Sequence, residues 1–459
     1  MPITRAFLGR ATAVLLPVLT LALVSQARAQ SLPRVEGPLT MDQAVELARE
    51  KSLRVRASDA DSRAMDSMRK EALAPFWPQA SANGYYNDQT QAPNVFTSAG
   101  TTMARNYQVF NANQTRDGNM TLMYSLFSGG RDYYGYKAAA ARADAAKHML
   151  QGTELDVAMQ ARLDYIAALR EGENARVTSD LLRDVEERLR VSRGMFEEGR
   201  VPRYYLLRDE TELANVVQMN TMAQSRVELA LVSLKTTLGV DLASSITLAD
   251  KLEFTPATLS IDEGIREARD RHPELKAAIK QREAAAAEVR AAYGNYFPQV
   301  SVGYMYDWAW MKNNTWVSQA DGLRSSGNNS EGYSVGVVVT LPIFDGFARE
   351  NALNTAKAKL DKAVQSEGLV NQQIAKEVNQ AALMLAAAEK SVEASRKGVE
   401  QSDEEFRIIK ERFGAGRGIQ LEILDAQVAL TRARFNAVAA LADYNSALAM
   451  WLKATGRVR

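Results

Sequence analysis

The chain has 459 residues, of which 46% are hydrophobic and 24% charged, and its formal net charge is +1. This near-neutral balance argues against nucleic acid as the main partner. The absence of cysteine excludes a disulfide framework, a thiol nucleophile and a thiolate metal site. The two histidines, His148 and His272, stand in helical patterns typical of surface or packing residues. The sequence has no phosphate-binding loop and no metal-ligand spacing, so we expect neither an enzyme nor a cofactor or metal site.

The first 29 residues have the pattern of a cleaved signal peptide. Arg5 and Arg10 form a basic start, an apolar stretch follows at 11–24, and Ala27-Arg28-Ala29 is a small-residue cleavage site. We therefore expect the mature chain to begin at Gln30 and to be exported. No later stretch reaches the roughly 18 apolar residues of a spanning helix, so any membrane-spanning segment of the mature chain is expected to be a β-strand.

The rest of the chain reads as two copies of one pattern. Leu-Thr-Met-Asp at 39–42 and Leu-Ser-Ile-Asp at 259–262 each place a capping hydroxyl before an acidic first helical turn. Phe-Trp-Pro-Gln-Ala-Ser at 76–81 corresponds to Tyr-Phe-Pro-Gln-Val-Ser at 296–301. A Phe-x-x-Gly motif also occurs in both copies, at 196–199 and at 413–416. The offset between copies changes only across two polar stretches, 91–113 and 313–329, as expected of exposed loops.

Each copy is predicted to contain a short helix, a β-hairpin and a long helical hairpin. The first repeat covers 30–240, with its β-hairpin at 77–128 and its helical hairpin at 131–238. A linker at 241–258 leads into the second repeat. That repeat covers 259–455, with its β-hairpin at 297–344 and its helical hairpin at 347–453.

The long helices carry heptad repeats. The stretch from about 349 to 413 has no proline and few glycines, which predicts a helix roughly 100 Å long. Its apolar residues recur at steps of four and three, a pattern that produces a left-handed coiled coil. The predicted seam is Ile374, Val378, Ala381, Leu385, Ala388, Val392, Ser395, Val399, Ser402, Phe406, Ile409 and Phe413. A shorter seam in the first repeat is Leu182, Val185, Leu189, Ser192 and Phe196. The predicted stripe of the returning helix is Leu424, Val428, Thr431, Phe435, Val438 and Ala442.

Four segments alternate apolar and polar residues in the manner of membrane-spanning strands. The clearest two present Val302, Tyr304, Tyr306, Trp308 and Trp310, and Tyr333, Val335, Val337, Val339 and Leu341. The first repeat presents Met120, Leu122, Tyr124 and Leu126, together with a weaker alternation at 77–89. A soluble sheet packed on a core is the alternative interpretation. In lipid an open four-stranded sheet leaves backbone groups unpaired, so we expect the strands to close with those of other copies. Three copies would supply twelve strands, enough for a pore.

In this arrangement the residues resemble the TolC-like outer-membrane efflux protein family. The resemblance rests on the duplicated helix starts, the two Pro-Gln-x-Ser entries, Leu-Pro-Ile-Phe-Asp-Gly at 341–346, and Phe413-x-x-Gly416 followed by Leu-Asp-Ala-Gln at 424–427. It implies an α+β membrane protein in the outer membrane of a Gram-negative bacterium. Its homotrimer would form one twelve-stranded β-barrel continued by a coiled-coil tunnel of twelve helices in the periplasm. The segment at 239–258 would belong to a belt around that tunnel.

The resemblance also implies partners and a gate at the tip of the tunnel. The partners are a periplasmic membrane-fusion adaptor and an inner-membrane pump of RND or ABC type. The turns that would touch the adaptor contain Gly199, Arg200, Gly416 and Gly418. The residues expected at the pore constriction are Glu422, Asp425, Arg417, Tyr204 and Tyr205. This tip departs from the family pattern, since Glu422 replaces an aspartate and Gly418 stands where an arginine is usual. Acids at this position also complement the helix dipole, a purely structural role.

Two functions are compatible with this resemblance. One is the exit channel of a tripartite efflux pump, and the other is the outer-membrane channel of a type I, ABC transporter-driven protein secretion system. A periplasmic adaptor fits less well, because adaptors carry one helical hairpin and this chain carries two. A secreted helical enzyme is disfavoured by the lack of catalytic clusters.

Overall fold

The computed structural model describes residues 32–90, 111–256, 260–315, 324–415 and 417–457. The predicted signal peptide, Gln30 and Gly416 lie outside these ranges. The chain divides into two compact units, one of Met1–Ser52 with Ala167–Lys251 and one of Leu53–Ile166 with Leu252–Arg459. None of the helices in the described ranges combines the length and the apolar character needed to cross a membrane.

The first unit is mainly helical. Its elements are β1 (Glu36–Leu39), α1 (Met41–Lys51), the later part of α3 (Arg131–Glu197), α4 (Arg203–Leu238) and β4 (Ser245–Leu248). Strands β1 and β4 pair in parallel, with Gly37 opposite Ile246, although they lie about 200 residues apart in sequence. The sequence analysis missed this small sheet, because two strands of four residues carry no periodic signal of their own.

The second unit contains the larger sheet and the second helical hairpin. Its helices are α2 (Leu53–Glu71), the start of α3, α5 (Ile261–Arg271), α6 (Pro273–Gly294), α7 (Ala348–Gly414) and α8 (Gln420–Ala454), with a 3-10 turn at Ala74–Phe76. Its strands are β2 (Gln79–Thr90), β3 (Asn111–Phe127), β5 (Gln299–Thr315) and β6 (Arg324–Thr340).

Both predicted helix starts are confirmed. The Thr40 hydroxyl accepts a hydrogen bond from the Gln43 amide at 3.3 Å, while the Gln43 side chain accepts one from the Thr40 amide at 3.0 Å. This reciprocal capping box satisfies two amides that an α-helix leaves free. Ser260 caps α5 in the same place of the second copy, where its hydroxyl accepts from the Glu263 amide at 3.4 Å.

The two returning helices end on equivalent glycines. Gly239 follows α4 with a φ of 68°, and a Cβ there would lie 2.7 Å from the Lys51 carbonyl oxygen. Gly456 follows α8 with a φ of 73°, and its Cβ would lie 3.3 Å from the His272 amide nitrogen. Only glycine accepts this left-handed conformation together with such a close backbone approach. The internal duplication therefore extends to the way each hairpin is tied to its short helices.

The four longer strands form one open antiparallel sheet in the order β2-β3-β5-β6. The weakly alternating segment predicted at 77–89 is β2, and the other three strands have 17 residues each, longer than the roughly ten predicted. The first-repeat and second-repeat hairpins join through β3 and β5, where Thr121 lies opposite Met305. Apolar side chains of β6 are uncovered, including Tyr333 at 75% and Val335 at 66% exposure.

The predicted seam of α7 is confirmed from Ile374 to Val392. Ile374, Val378, Ala381, Leu385, Ala388 and Val392 are all buried, and the seam continues half-buried to Phe413, which is buried again. Trp451 and Leu275 pack in one core cluster with the seam residues from Ile374 to Ala381. Tyr444 packs in a second cluster with those from Leu385 to Val392.

The predicted stripe of α8 was wrong near the turn, although its last member, Ala442, is buried as predicted. Its buried face near the turn is formed by Ile423, Ala426 and Leu430, whereas Val428 is 64% exposed. Helix α8 carries apolar residues on more than one side, so periodicity alone defines two competing stripes. Packing against α7 decides between them.

A buried polar cluster lies where α5 meets α6. His272 occupies this junction, rather than a helix interior, with 1% exposure, and neither ring nitrogen has a hydrogen-bond partner among the described residues. The Lys453 ammonium lies 3.2 Å from an Asp156 oxygen and 3.6 Å from a Glu377 oxygen. Burial lowers the pKa of His272, and Lys453 lowers it further, while Glu377 and Asp156 oppose the shift. Burial also raises the pKa of Glu274 on α6.

Candidate functional site

The turn of the first hairpin connects Glu197 to Arg203. Gly199 takes the left-handed conformation at φ 70°, and the Arg200 amide donates to the Met195 carbonyl at 2.8 Å. This pattern closes a helix end by satisfying carbonyls that the helix leaves free. The Arg200 guanidinium pairs with Glu198 at 2.8 Å, and both side chains are exposed. The predicted contact residues Gly199 and Arg200 therefore lie on a tight, exposed turn.

Tyr204 and Tyr205 stand on the first turn of α4. Their ring centroids lie 4.8 Å apart, and Tyr204 is 61% exposed. Desolvation and a hydrogen bond with Tyr205 raise the pKa of Tyr204, so this phenol is neutral at physiological pH. The pair offers a neutral aromatic surface beside the turn.

A buried ion pair fastens the helices behind this turn. Asp209 of α4 has 0% exposure and accepts from the Arg188 Nε at 3.0 Å and from the Ser192 hydroxyl at 2.6 Å. The sequence analysis missed this network, although the position of Ser192 on an otherwise apolar seam was a signal. The second repeat has Ala426 in the place of Asp209, so the two hairpins are fastened differently.

The turn of the second hairpin connects Gly414 to Gln420 and repeats the same closure. The Arg417 amide donates to the Arg412 carbonyl at 2.9 Å, which is the counterpart of the bond from Arg200 to Met195. Gly418 lies against the end of α7, where a Cβ would be 3.2 Å from the Phe413 amide nitrogen. Gly416, the counterpart of Gly199, lies outside the described residues.

The predicted acids of the second turn differ in their surroundings. The Glu422 Oε2 lies 3.9 Å from the Arg412 Nη2 of α7, and this buried oxygen accepts no hydrogen bond from the described residues. Arg417, the arginine singled out from the sequence, is exposed. Asp425 is exposed and makes no ion pair within the described ranges. The structure thus brings Glu422 together with Arg412, a residue that the sequence analysis missed because it lies on the other helix of the hairpin.

Asp425 also stands at the end of a long groove between α7 and α8. The groove has a volume of about 790 Å³ and is floored by small side chains of both helices. The small residues are Ser391, Ala394, Ser395, Gly398, Ser402, Ala429, Ala433, Ala439 and Ala440. Its charged lining residues are Asp425, Arg432 and Asp443. Small residues at such positions let another helix approach closely.

Comparison with known proteins gives consistent matches. The family model of the outer membrane efflux protein matches residues 264–457. Protein CyaE of Bordetella pertussis is 27% identical over 353 residues, which are 73% of this chain and 70% of that protein. Outer membrane efflux protein BepC of Brucella suis is 24% identical over 365 residues, 79% of this chain and 75% of BepC. The crystal structure of the outer membrane protein VceC of Vibrio cholerae has a TM-score of 0.72 at 17% identity, covering 91% of this chain and 96% of VceC.

The fold and these matches define a channel protein of the outer membrane. The chain is similar to the outer membrane efflux protein family, the TolC-like family that its repeated motifs resemble. It is accordingly an outer-membrane protein of a Gram-negative bacterium that extends into the periplasm.

Proposed function

We propose that three copies of the chain form one exit duct across the outer membrane and the periplasm. The observation that carries this proposal is the open sheet, whose outer strands β2 and β6 have no partner on one side within the described ranges. Unpaired strand edges cannot persist in a hydrocarbon environment, because each free amide and carbonyl there costs several kcal/mol. Closure with two further copies gives a twelve-stranded β-barrel without edges.

The dimensions of the sheet support a membrane position. The exposed apolar run of β6 and its extension goes from Tyr333 to Leu341. Nine residues at about 3.3 Å span roughly 30 Å along the strand, or roughly 23 Å across the membrane at a tilt of ~40°. This height matches the apolar band of about 25 Å found on outer-membrane barrels.

The helices supply the periplasmic part of the duct. Helices α3 and α7 have 67 residues each and are therefore roughly 100 Å long. In a trimer, the two hairpins of each copy would give a coiled-coil tunnel of twelve helices. The exposed turns at Gly199 and Arg200, and at Arg417 and Gly418, then form its periplasmic end and contact a membrane-fusion adaptor.

The same arrangement makes the second turn the gate. Threefold symmetry gathers three copies of Glu422 and Asp425 around the narrow end, and such a ring of carboxylates attracts cations. The ion pair of Glu422 with Arg412 ties this ring to α7. Tyr204 and Tyr205 are the candidate constriction residues of the first hairpin.

The assembly is tested by cysteine crosslinking, for which the cysteine-free chain is well suited. Ser81 on β2 is replaced by cysteine together with Ser334, Gly336 or Val338 on β6, in a scan of the unknown register between copies. At least one pair is expected to give crosslinked trimers. The control pair is Thr121 with Met305, which face each other within one chain and should link without changing the mass. A protein that light scattering shows to be a folded monomer in detergent refutes the shared barrel.

We further propose that the duct serves a tripartite efflux pump, and the similarity to the outer membrane efflux protein BepC supports this. Protein secretion driven by an ABC transporter is the second function that the same architecture could serve. Affinity purification after crosslinking in the native cell separates the two, because an RND pump indicates efflux and an ABC exporter with a secreted protein in transit indicates secretion.

A further inference from the structure

Three tyrosines next to the sheet each hold a cation on their ring. The Lys137 Nζ lies 4.8 Å from the Tyr133 ring centroid, and the Arg290 Cζ lies 5.6 Å from that of Tyr134. The Lys357 Nζ lies 5.7 Å from the ring centroid of Tyr293. These six residues come from α3, α6 and α7, the helices that adjoin the strands, and we call them the tyrosine–cation collar.

The cations of the collar are held in place without being neutralised. Lys137, Arg290 and Lys357 are all exposed, and within the described ranges none of them lies in an ion pair. Arg349, which also lies over a tyrosine, is different, because it binds Asp345 at 2.7 Å and the Ile343 carbonyl at 3.2 Å. A ring face attracts a cation through its quadrupole and leaves the positive charge available to an anion.

The collar lies just beyond the apolar end of the sheet. Phe297, Ile343 and Phe344, all more than half exposed, separate the strands from the helix ends. Lys137 is six residues into α3 and Lys357 nine residues into α7, so their Cα atoms lie about 9 and 14 Å from those helix starts. Arg290 is four residues, or about 6 Å, from the end of α6.

Side-chain direction brings the two lysines closer to the sheet. Both α3 and α7 begin at the sheet, and Cα–Cβ bonds in a helix tilt towards its N-terminus. The long lysine side chains therefore lean back towards the strands, as lysines near a membrane surface do when they extend to the headgroups. In a barrel whose apolar strands lie in lipid, these charges would face the periplasmic side, where the polar headgroups follow the hydrocarbon.

We propose that the tyrosine–cation collar binds the phosphate groups of anionic phospholipids in the periplasmic leaflet of the outer membrane. This inference rests on the proposed barrel, which places the apolar strands in lipid. The tyrosines suit the interface because they combine an apolar body with a polar hydroxyl, and the three uncompensated cations complement the negative headgroup.

The test is lipid titration of the purified protein in detergent, read by native mass measurement. Phosphatidylglycerol is expected to bind about tenfold more tightly than phosphatidylcholine, and added salt should weaken this preference. The triple variant Lys137→Gln, Arg290→Gln, Lys357→Gln should lose the preference and remain a trimer.

The matched control is the triple variant Lys390→Gln, Arg396→Gln, Lys410→Gln. It removes the same number of lysines and arginines, two of them over phenylalanine rings, but at positions more than about 60 Å along α7 from the sheet. It should keep the lipid preference. Equal loss in both variants, or no preference in a wild-type trimer, overturns the lipid site. Inorganic phosphate that displaces the lipid at equal concentration overturns it in favour of a site for soluble anions. A wild-type monomer would instead refute the barrel and the lipid site together.

Discussion

Replacing Asp209 by asparagine is expected to loosen the closed end of the first helical hairpin. The side chain has 0% exposure and joins Arg188 and Ser192 across α3 and α4. Asparagine keeps the size of the side chain but removes the negative charge that the Arg188 guanidinium faces at 3.0 Å in this buried site. The perturbation therefore acts on electrostatics and hardly on packing.

The magnitude follows from the burial of the pair. Removing one partner of a buried ion pair typically costs about 3–5 kcal/mol. Hydrogen exchange monitored by mass spectrometry is the appropriate assay, because it reports local opening of a helix pair in the intact protein. A loss of about 3 kcal/mol should accelerate exchange at the ends of α3 and α4 by roughly a hundredfold.

The second hairpin provides the control. Asp403 and Arg434 also pair across two helices at 3.0 Å, but Asp403 is exposed and Arg434 only half-buried, so Asp403→Asn should cost less than about 1 kcal/mol. The double variant Arg188→Met, Asp209→Leu should restore most of the protection, since an apolar pair can replace a buried ion pair. Unchanged protection in Asp209→Asn, or a double variant as labile as the single one, would refute the reasoning.

Three further predictions concern the gate, the partner contact and the pH response. Glu422→Ala combined with Asp425→Ala should abolish cation selectivity and block by multivalent cations from the periplasmic side in single-channel recordings. If selectivity and block persist, these acids do not line the constriction. Cysteines at Arg200 or Arg417 should crosslink to the cognate adaptor in cells, and crosslinking only from positions halfway along the hairpins would show that the turns point elsewhere. The pKa of His272 is lowered in the folded protein, so the unfolded chain binds more protons and stability should fall as the pH drops below about 6.5. His272→Phe should remove this part of the acid sensitivity in thermal unfolding, and an unchanged pH profile would show that the ring does not titrate in this range.

The sequence alone determined those features that depend on near neighbours. Thr40 and Ser260 cap helices by accepting from amides three residues away. The seam from Ile374 to Val392 follows from apolar residues that recur every three or four positions along one helix. The weakly alternating strand predicted at 77–89 formed as β2, and the Pro-Gln-x-Ser entry that supported this prediction occurs in both repeats. Such signals are local, and the internal duplication supplied the helix caps and the Pro-Gln-x-Ser entries twice.

Tertiary structure decided the features that join distant parts of the chain. The pairing of β1 with β4 and the placement of β3 beside β5 connect segments far apart in sequence. The face of α8 that packs on α7 and the choice of Arg412 over Arg417 as the partner of Glu422 depend on how two helices meet. A period defines a stripe on one helix, but the position of a second helix against it depends on packing and charge that no single segment contains.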